Sequence, residues 1–403
     1  MRILCATRQL DGPGGAETYL VTVADGLRRL GHELTFTARQ IGEAAGGARG
    51  AGLAVVETDE RLDPPPEGIL VQDRALSLEL AQRYPKTPQI FVVHGVEHDY
   101  ELPQPGVDVV SACITLNDRQ GPRAEAIAHG PPVVRLRQPI DIVRFKPHGQ
   151  PRDRPHRALV LSNNFPPERL AILKRAWEPQ GVEIATIGRN PALAFEGTTV
   201  DDPRAEISAA DIVVGYGRAM LEAMACGRLA FVYAGPGGDG WVTAEKYPAM
   251  EANGFAGGAF GEVYDERRLR EALSEYDPAL GLVGRDLVRF PHDAGEHVAA
   301  VDTLLRDATG PAVSSPDSLR QLERMVELLW HAEGRAATLR VEVGALYVER
   351  ERLELALDDR QAKADELERQ LAERTREHRE LVASRRYKIG AMLARPLDAT
   401  KRR

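Results

Sequence analysis

The stretch Asp211–Arg228, DIVVGYGRAMLEAMACGR, constrains this chain more than any other. Its apolar run Ile212–Gly215 reads as a strand, Gly215-Tyr-Gly217 as a turn, and the small residues that follow as a helix carrying Glu222 near its N-terminal end. A strand passed straight to a helix is the unit from which parallel sheets are built, because parallel neighbours need a crossover between them. The same alternation runs along most of the chain. Arg2–Thr7 is apolar, Gly12-Pro-Gly-Gly15 turns, and Tyr19, Leu20, Val23 and Leu27 recur at helical spacing. Further candidate strands are Leu34–Thr37, Gly68–Val71, Gln89–Val93 and Val107–Leu116, with a helical pattern over Leu76–Arg83. Lys146–His156, rich in proline and charge, has no apolar periodicity and reads as a linker. Beyond it the alternation restarts at Ala158–Leu161, Val182–Ile187, Ile212–Gly215 and Leu229–Tyr233 and continues to about Thr309.

The expectation is an α/β protein with two Rossmann-like, doubly wound domains, 1–150 and 156–309. A chain of 403 residues, 43% hydrophobic, is long enough for two cores and an extension. From Pro316 the composition turns to Leu, Glu, Arg and Ala. Heptad position a falls on Val343, Arg350, Leu357, Ala364, Leu371 and His378, and position d on Leu346, Leu353, Arg360, Leu367, Arg374 and Leu381. That seam predicts a coiled coil over 316–384 and a homo-oligomer formed through it, with the three arginines weakening it. The tail 385–403 is basic, with Asp398 its only acid, and interleaves Tyr387, Ile389, Met392, Leu393 and Leu397. It is expected either to lie on anionic lipid or to fray as a solvated terminus.

A formal net charge of -8 gives no sequence-wide field to hold polyanions, so nucleic acid is not an expected partner. Cys5, Cys113 and Cys226 are too scattered for a zinc knuckle or a disulfide framework and read as buried thiols in a reducing compartment. No uncharged apolar stretch reaches the length of a membrane span, and the first apolar run is broken by Arg8 and Asp11. The expected location is the cytoplasm, with peripheral contact at the inner membrane face.

The chemistry sits at the glycine turns. Amides around Gly217, Arg218 and Ala219 suit phosphate oxygens, and a carboxylate one turn later, Glu222, can accept two hydroxyl donors from a ribose. Taken alone, Glu222 equally well complements the helix dipole. Gly12, Gly14 and Gly15 do not spell the dinucleotide fingerprint, and Glu17 favours the first turn of its helix with or without a ligand.

Four words, GGAETYL (Gly14–Leu20), FVVHG (Phe91–Gly95), RQPIDIVRFKP (Arg137–Pro147) and MLEAMACGR (Met220–Arg228), occur in an order and spacing that resembles the family 4 (group 1) glycosyltransferases of the GT-B fold, over roughly the first 305 residues. The resemblance implies transfer of a sugar from a nucleotide-sugar donor to a lipid-linked or polysaccharide acceptor, with retention of configuration and no metal or other cofactor. It implies His94 beside the transferred sugar as the catalytic-site histidine. Gly14 and Gly15 would lie near the donor phosphates and Glu222 on the ribose, with Asn163, Arg169, Gly188, Gly217 and Arg218 also on the donor side. Departures from the pattern are specific. The first glutamate of the family's paired-glutamate motif falls on Val214, and Ser162-Asn163-Asn164 with Glu168 stands where an arginine and a lysine are usual. Arg169 or Arg218 is the expected substitute cation, and Gly235–Met250 an expected rim loop. The same departures support a second reading, a degenerate member acting as a coiled-coil scaffold or regulator; a sugar-nucleotide epimerase is a third.

Overall fold

The computed structural model describes residues 1–10, 14–42, 44–50, 52–96, 101–128, 131–163, 165–190, 195–198, 200, 202–234, 237–310 and 316–393. Gly12, Asn164, Gly235 and the tail beyond residue 393 lie outside them. The chain divides into two compact units, Met1–Gly334 and Arg335–Arg403.

Among the described residues the first unit holds two large sheets and a two-stranded ribbon. The first is formed by β1 (Arg2–Leu10), β2 (Glu33–Ile41), β3 (Ala54–Glu57), β4 (Gly68–Val71), β5 (Gln89–Val93), β6 (Ala112–Thr115) and β7 (Val133–Arg135), in the order β3-β2-β1-β4-β5-β6-β7. Every pairing in it is parallel. Its helices are α1 (Gly15–Arg29), α2 (Ala44–Gly50), α3 (Arg74–Arg83) and α4 (Gly121–Ala128). β4, β5 and β6 are buried at every position, as parallel strands covered on both faces must be.

The second sheet contains β8 (Arg157–Leu161), β9 (Glu183–Ile187), β12 (Ile212–Gly215), β13 (Leu229–Ala234) and β14 (Gly237–Trp241), ordered β14-β13-β12-β8-β9, with β10 (Arg189–Asn190) and β11 (Phe195–Glu196) making a separate small ribbon. Only β14 runs antiparallel in the five-stranded sheet. Around it lie α5 (Pro167–Trp177), α6 (Arg204–Ala209), α7 (Arg218–Ala225), α8 (Tyr247–Ala252), α9 (Glu266–Ser274) and α10 (Leu280–Val288). One face is aromatic: Trp177 stacks on Trp241 at 6.4 Å with Phe231 edge-on to both, and Trp177 Nε1 donates to the carbonyl of Leu269 at 2.8 Å. The expected doubly wound α/β architecture is therefore present twice. Val107–Ser111 is irregular although Val109 and Val110 are buried, and β3, β7 and β14 are strands the apolar pattern did not reveal.

The boundaries in sequence and in space differ. Ile140 and Phe145 belong to the core of the second sheet. Conversely, α11 (Ala294–Asp307) buries Val298, Val301 and Leu305 against α1 and the first sheet. The chain crosses between the sheets twice, and the crossings touch: Ile140 donates to the carbonyl of His292 at 2.7 Å and Ala294 to that of Ile140 at 3.1 Å. The proline-rich stretch has no helix or strand, yet it is tied down. The buried carboxylate of Asp211 accepts from the amides of Arg152, His156 and Arg157 at 2.8–3.2 Å and from the Arg152 guanidinium at 3.1 Å.

Helix α12 (Pro316–Ala383) begins on the first sheet's other face, where Leu319 and Val326 are buried. Arg8 pairs there with Asp73 and Glu327, both at 2.7 Å, and lies 4.5 Å over the ring of Trp330. In the second unit α12 is followed by α13 (Arg385–Leu393). The heptad residues Val343, Leu353, Leu357, Leu367, Leu371 and Leu381 are all exposed; the side chain of Leu346 is outside those described. In α13, at about 3.6 residues per turn, Tyr387 falls opposite Ile389, Met392 and Leu393, and Arg385 falls among those three. Three apolar residues of α13 thus share one side of this helix with Arg385, and Tyr387 lies on the other; Leu397 is outside the described residues.

Candidate functional site

A cleft of about 1560 Å³ opens at the ends of β1, β5, β8, β9 and β12, where strand-to-helix turns of a parallel sheet present their ligands. Gly14, Gly15, His94, Asn163, Gly217, Arg218 and Glu222, widely separated in sequence, all line it.

The turn into α7 is built on Gly217, whose φ of 64° and ψ of −136° admit no side chain without strain. Its amide is already used, donating to the carbonyl of Phe255 at 3.0 Å. The amides of this turn left without an intrahelical acceptor are therefore those of Arg218 and Ala219, since the first N–H groups of a helix have none. The Arg218 side chain is buried. Its Nε donates to Glu222 Oε1 at 2.9 Å, Nη1 to the carbonyl of Pro139 at 2.8 Å and Nη2 to Thr22 Oγ1 at 3.4 Å. One guanidinium thus joins α7, the outgoing crossover and α1. Burial pushes the Glu222 carboxyl above its ordinary range, opposed by the charge of Arg218.

His94 follows β5. Burial, aided by the positive charge of Arg218, pulls its pKa down to about 3, so the imidazole is neutral near pH 7. Its Nε2 is shielded from solvent and has no hydrogen-bond partner among the described residues. Gln120 holds the backbone there: its Nε2 donates to the His94 carbonyl at 2.8 Å while its Oε1 accepts from the Leu116 amide at 2.6 Å. The ring of Tyr19 meets His94 edge-on at 4.9 Å.

Gly14 is the extended residue before α1, and Gly15 has open space around it. Asn163 is exposed on the rim. Two expected donor-side residues do not line the cleft. Gly188 stands behind Asn163 at φ +118°, where a Cβ would come within 2.0 Å of the Ser162 carbonyl oxygen, so it shapes the turn that carries Asn163. Arg169 lies with its guanidinium 5.5 Å over the ring of Tyr233 and away from the described lining. Nor is Gly237–Trp241 a rim loop. It is a buried strand whose Gly238 and Gly240 make room for the ring and hydroxyl of Tyr264.

Residues the motifs passed over complete the site. Arg144, half-exposed in the cleft wall, pairs with Asp202 at 3.2 Å, and Arg204 holds the Asp202 carboxyl down at about 2. Arg144 lay inside one of the four words, but nothing in its local sequence marked it as a cleft cation. Thr22 and Gln120 carried no signal, because each gains its meaning from a partner far away in the chain. Among the described residues no three His, Cys, Asp or Glu side chains converge as metal ligands, and no helix is long and apolar enough to cross a membrane. The three cysteines are buried, with thiols pushed up to about 12 by burial.

Two facing sheets, parallel but for β14, with a cleft at their strand ends make up the GT-B fold, and solved glycosyltransferases of that fold share it. HepE of Anabaena, solved in complex with UDP and glucose, superimposes with a TM-score of 0.53 at 14% identity, covering 75% of this chain and 100% of its own. A glycosyltransferase from Rickettsia africae gives 0.52 at 12%, covering 76% and 98%. The pneumococcal O-GlcNAc transferase GtfA, in complex with UDP and GlcNAc, gives 0.52 at 10%, covering 76% and 99%. Neither a protein-family model nor a curated protein sequence matches this chain.

Proposed function

We propose that the cleft binds a nucleotide sugar and transfers its sugar to a lipid-linked or polysaccharide acceptor. The observation that carries this reading is that a neutral His94 imidazole and a buried Glu222–Arg218 pair line one cleft. A neutral imidazole offers a sugar hydroxyl a hydrogen bond without surrendering charge to it. Glu222 takes the ribose, and the diphosphate lies over the start of α7, where the amides of Arg218 and Ala219 and the guanidiniums of Arg218 and Arg144 stabilise it as it leaves. The bond from the anomeric carbon to the phosphate oxygen breaks, the acceptor oxygen bonds to that carbon with retention, and the acceptor's proton goes to the departing diphosphate. This route uses side-chain cations in place of a metal. The volume of about 1560 Å³ exceeds what one small ligand fills, roughly 300 to 1,000 Å³, and leaves room for donor and acceptor together. HepE and GtfA, solved with UDP and a sugar, support the same reading.

A panel of nucleotide sugars, screened by thermal shift and then for turnover, tests it: the expected result is one donor that raises the melting temperature and is consumed. Binding without consumption of any donor would leave the scaffold reading, which Val214 favours. That side chain is fully buried in β12 and places no carboxylate in the cleft. In either case the exposed leucines of the long helix pair two or more copies, and the basic tail takes the assembly to anionic lipid.

A further inference from the structure

Two histidines on the return crossover hold the outgoing one, each through the same three-member relay. His297 Nδ1 lies 2.9 Å from the carbonyl of Arg137, and its Nε2 lies 2.8 Å from the hydroxyl of Tyr19 in α1. His292 Nδ1 lies 2.7 Å from the carbonyl of Gln138, and its Nε2 lies 2.8 Å from the hydroxyl of Tyr247 in α8. A carbonyl oxygen only accepts, so Nδ1 carries the proton in both rings; Nε2 then accepts, and the tyrosine hydroxyl donates. Burial keeps both imidazoles neutral, with pKa values near 4, and pushes both tyrosines upward, so every proton in the relays stays where this chemistry puts it. The relays differ in what stands next to them. Tyr247 packs against Phe255 at 6.0 Å, whereas Tyr19 meets the ring of His94.

We infer that Tyr19 and His297 are positioning residues for His94, fixing the orientation of the cleft imidazole against the backbone of the crossover between the sheets. Among the described residues the Nε2 of His94 has no hydrogen-bond partner, and around the ring stand the edge of Tyr19, His297 and the charge of Arg218. Tyr19 is fully buried, and among the described residues its hydroxyl has one acceptor, His297, itself held by the carbonyl of Arg137. A change in the path of the crossover therefore reaches His94 through rigid rings. The same change reaches Tyr247 and stops there. This inference rests on the reading of His94 as a sugar contact.

Tyr19→Phe keeps the ring against His94 and removes only the hydroxyl; Tyr247→Phe makes the same change in the other relay. Proton–nitrogen correlation spectra of the imidazoles in the full chain, with His94 assigned through His94→Gln, report ring geometry without any turnover. Tyr19→Phe is expected to shift and broaden the His94 and His297 resonances and leave those of His292, and Tyr247→Phe to move His292 alone. With a donor that is turned over, Tyr19→Phe lowers kcat about tenfold with donor KM within twofold, and Tyr247→Phe lowers kcat less than threefold. Should Tyr19→Phe unfold, His297→Gln, which keeps a donor to the Arg137 carbonyl, repeats the test from the other end of the relay. Unchanged His94 resonances in Tyr19→Phe, or equal kcat losses in the two tyrosine variants, overturn the proposal. Absence of turnover with every donor refutes the transferase reading instead, and the spectra still decide the relay.

Discussion

Arg218→Met removes one half of a buried ion pair and fills its space with an apolar chain. The side chains of Arg218 and Glu222 are 8% and 9% exposed, so water cannot replace the lost guanidinium. Left alone, Glu222 would be a buried uncompensated anion, a loss of about 3–5 kcal/mol. Protonation limits that loss. At pH 7, protonating a carboxyl with an ordinary pKa of about 4.3 costs about 3.7 kcal/mol, and at pH 5 about 1 kcal/mol. The orphaned carbonyl of Pro139 adds about 1 kcal/mol at both pH values. The expected deficit is therefore about 4–5 kcal/mol at pH 7 and about 2 kcal/mol at pH 5, or melting-temperature losses of about 8–10 °C and about 4 °C at roughly 2 °C per kcal/mol. The sign follows from the loss of Arg218, whose charge and hydrogen bond hold the Glu222 carboxyl down against burial. Without them its folded pKa lies further above the unfolded value than in wild type, so the variant loses more stability as pH rises and the gap must widen upward from about pH 4. Differential scanning calorimetry of both proteins across this range measures it. Adding Glu222→Gln should abolish the pH dependence of the gap. An equal loss at pH 5 and pH 7, or no effect of the second substitution, refutes the assignment of Glu222 as the charge that Arg218 compensates.

Gly188→Ala should lower stability by about 2 kcal/mol or more, because the colliding atom is the backbone oxygen of Ser162, which has nowhere to go; a melting temperature within 1 °C or so of wild type would contradict that crowding. Asp211→Asn replaces an acceptor of three amides and a guanidinium with a group that offers one oxygen, and should cost about 2–3 kcal/mol in chemical denaturation. The Asp211 carboxyl is held below its usual range by those hydrogen bonds against the opposing effect of burial. Its contribution is thus present above a pH of about 4 and disappears as pH falls through the folded value, so variant and wild type should converge in acid. A chain ended after Gly334 keeps Leu319 and Val326 in the core and should sediment as a monomer if the long helix pairs copies; an unchanged oligomer would dismiss the seam.

The strand, turn and helix of Asp211–Arg228 were legible because all of their determinants are local: a buried apolar run, a glycine at positive φ and small helix residues. The alternation that implied two parallel sheets was legible for the same reason. The assignment of α11 was not, since its amphipathic pattern says that Val298, Val301 and Leu305 are buried and not against which sheet. Arg218 was legible as a cation near the cleft, but its hold on Thr22 and on the carbonyl of Pro139 depends on three elements meeting in space. Arg169 shows the converse: a guanidinium placed by sequence beside the site is drawn off by a tyrosine ring. The relay histidines His292 and His297 carry no local mark at all, because their acceptors are carbonyls that any residue at 137 or 138 would supply.

The touching crossovers make the second sheet a cassette. Residues from about 141 to 291 leave the first sheet and return to it at neighbouring points, with Ile140 bonded on both sides to the strand that comes back. A segment whose two ends meet can be exchanged for another with the same end spacing while the first sheet, α1 and α11 keep their own core. The arrangement lets the second sheet's cleft residues diversify as a block, and it places the burden of compatibility on the few residues where the crossovers touch.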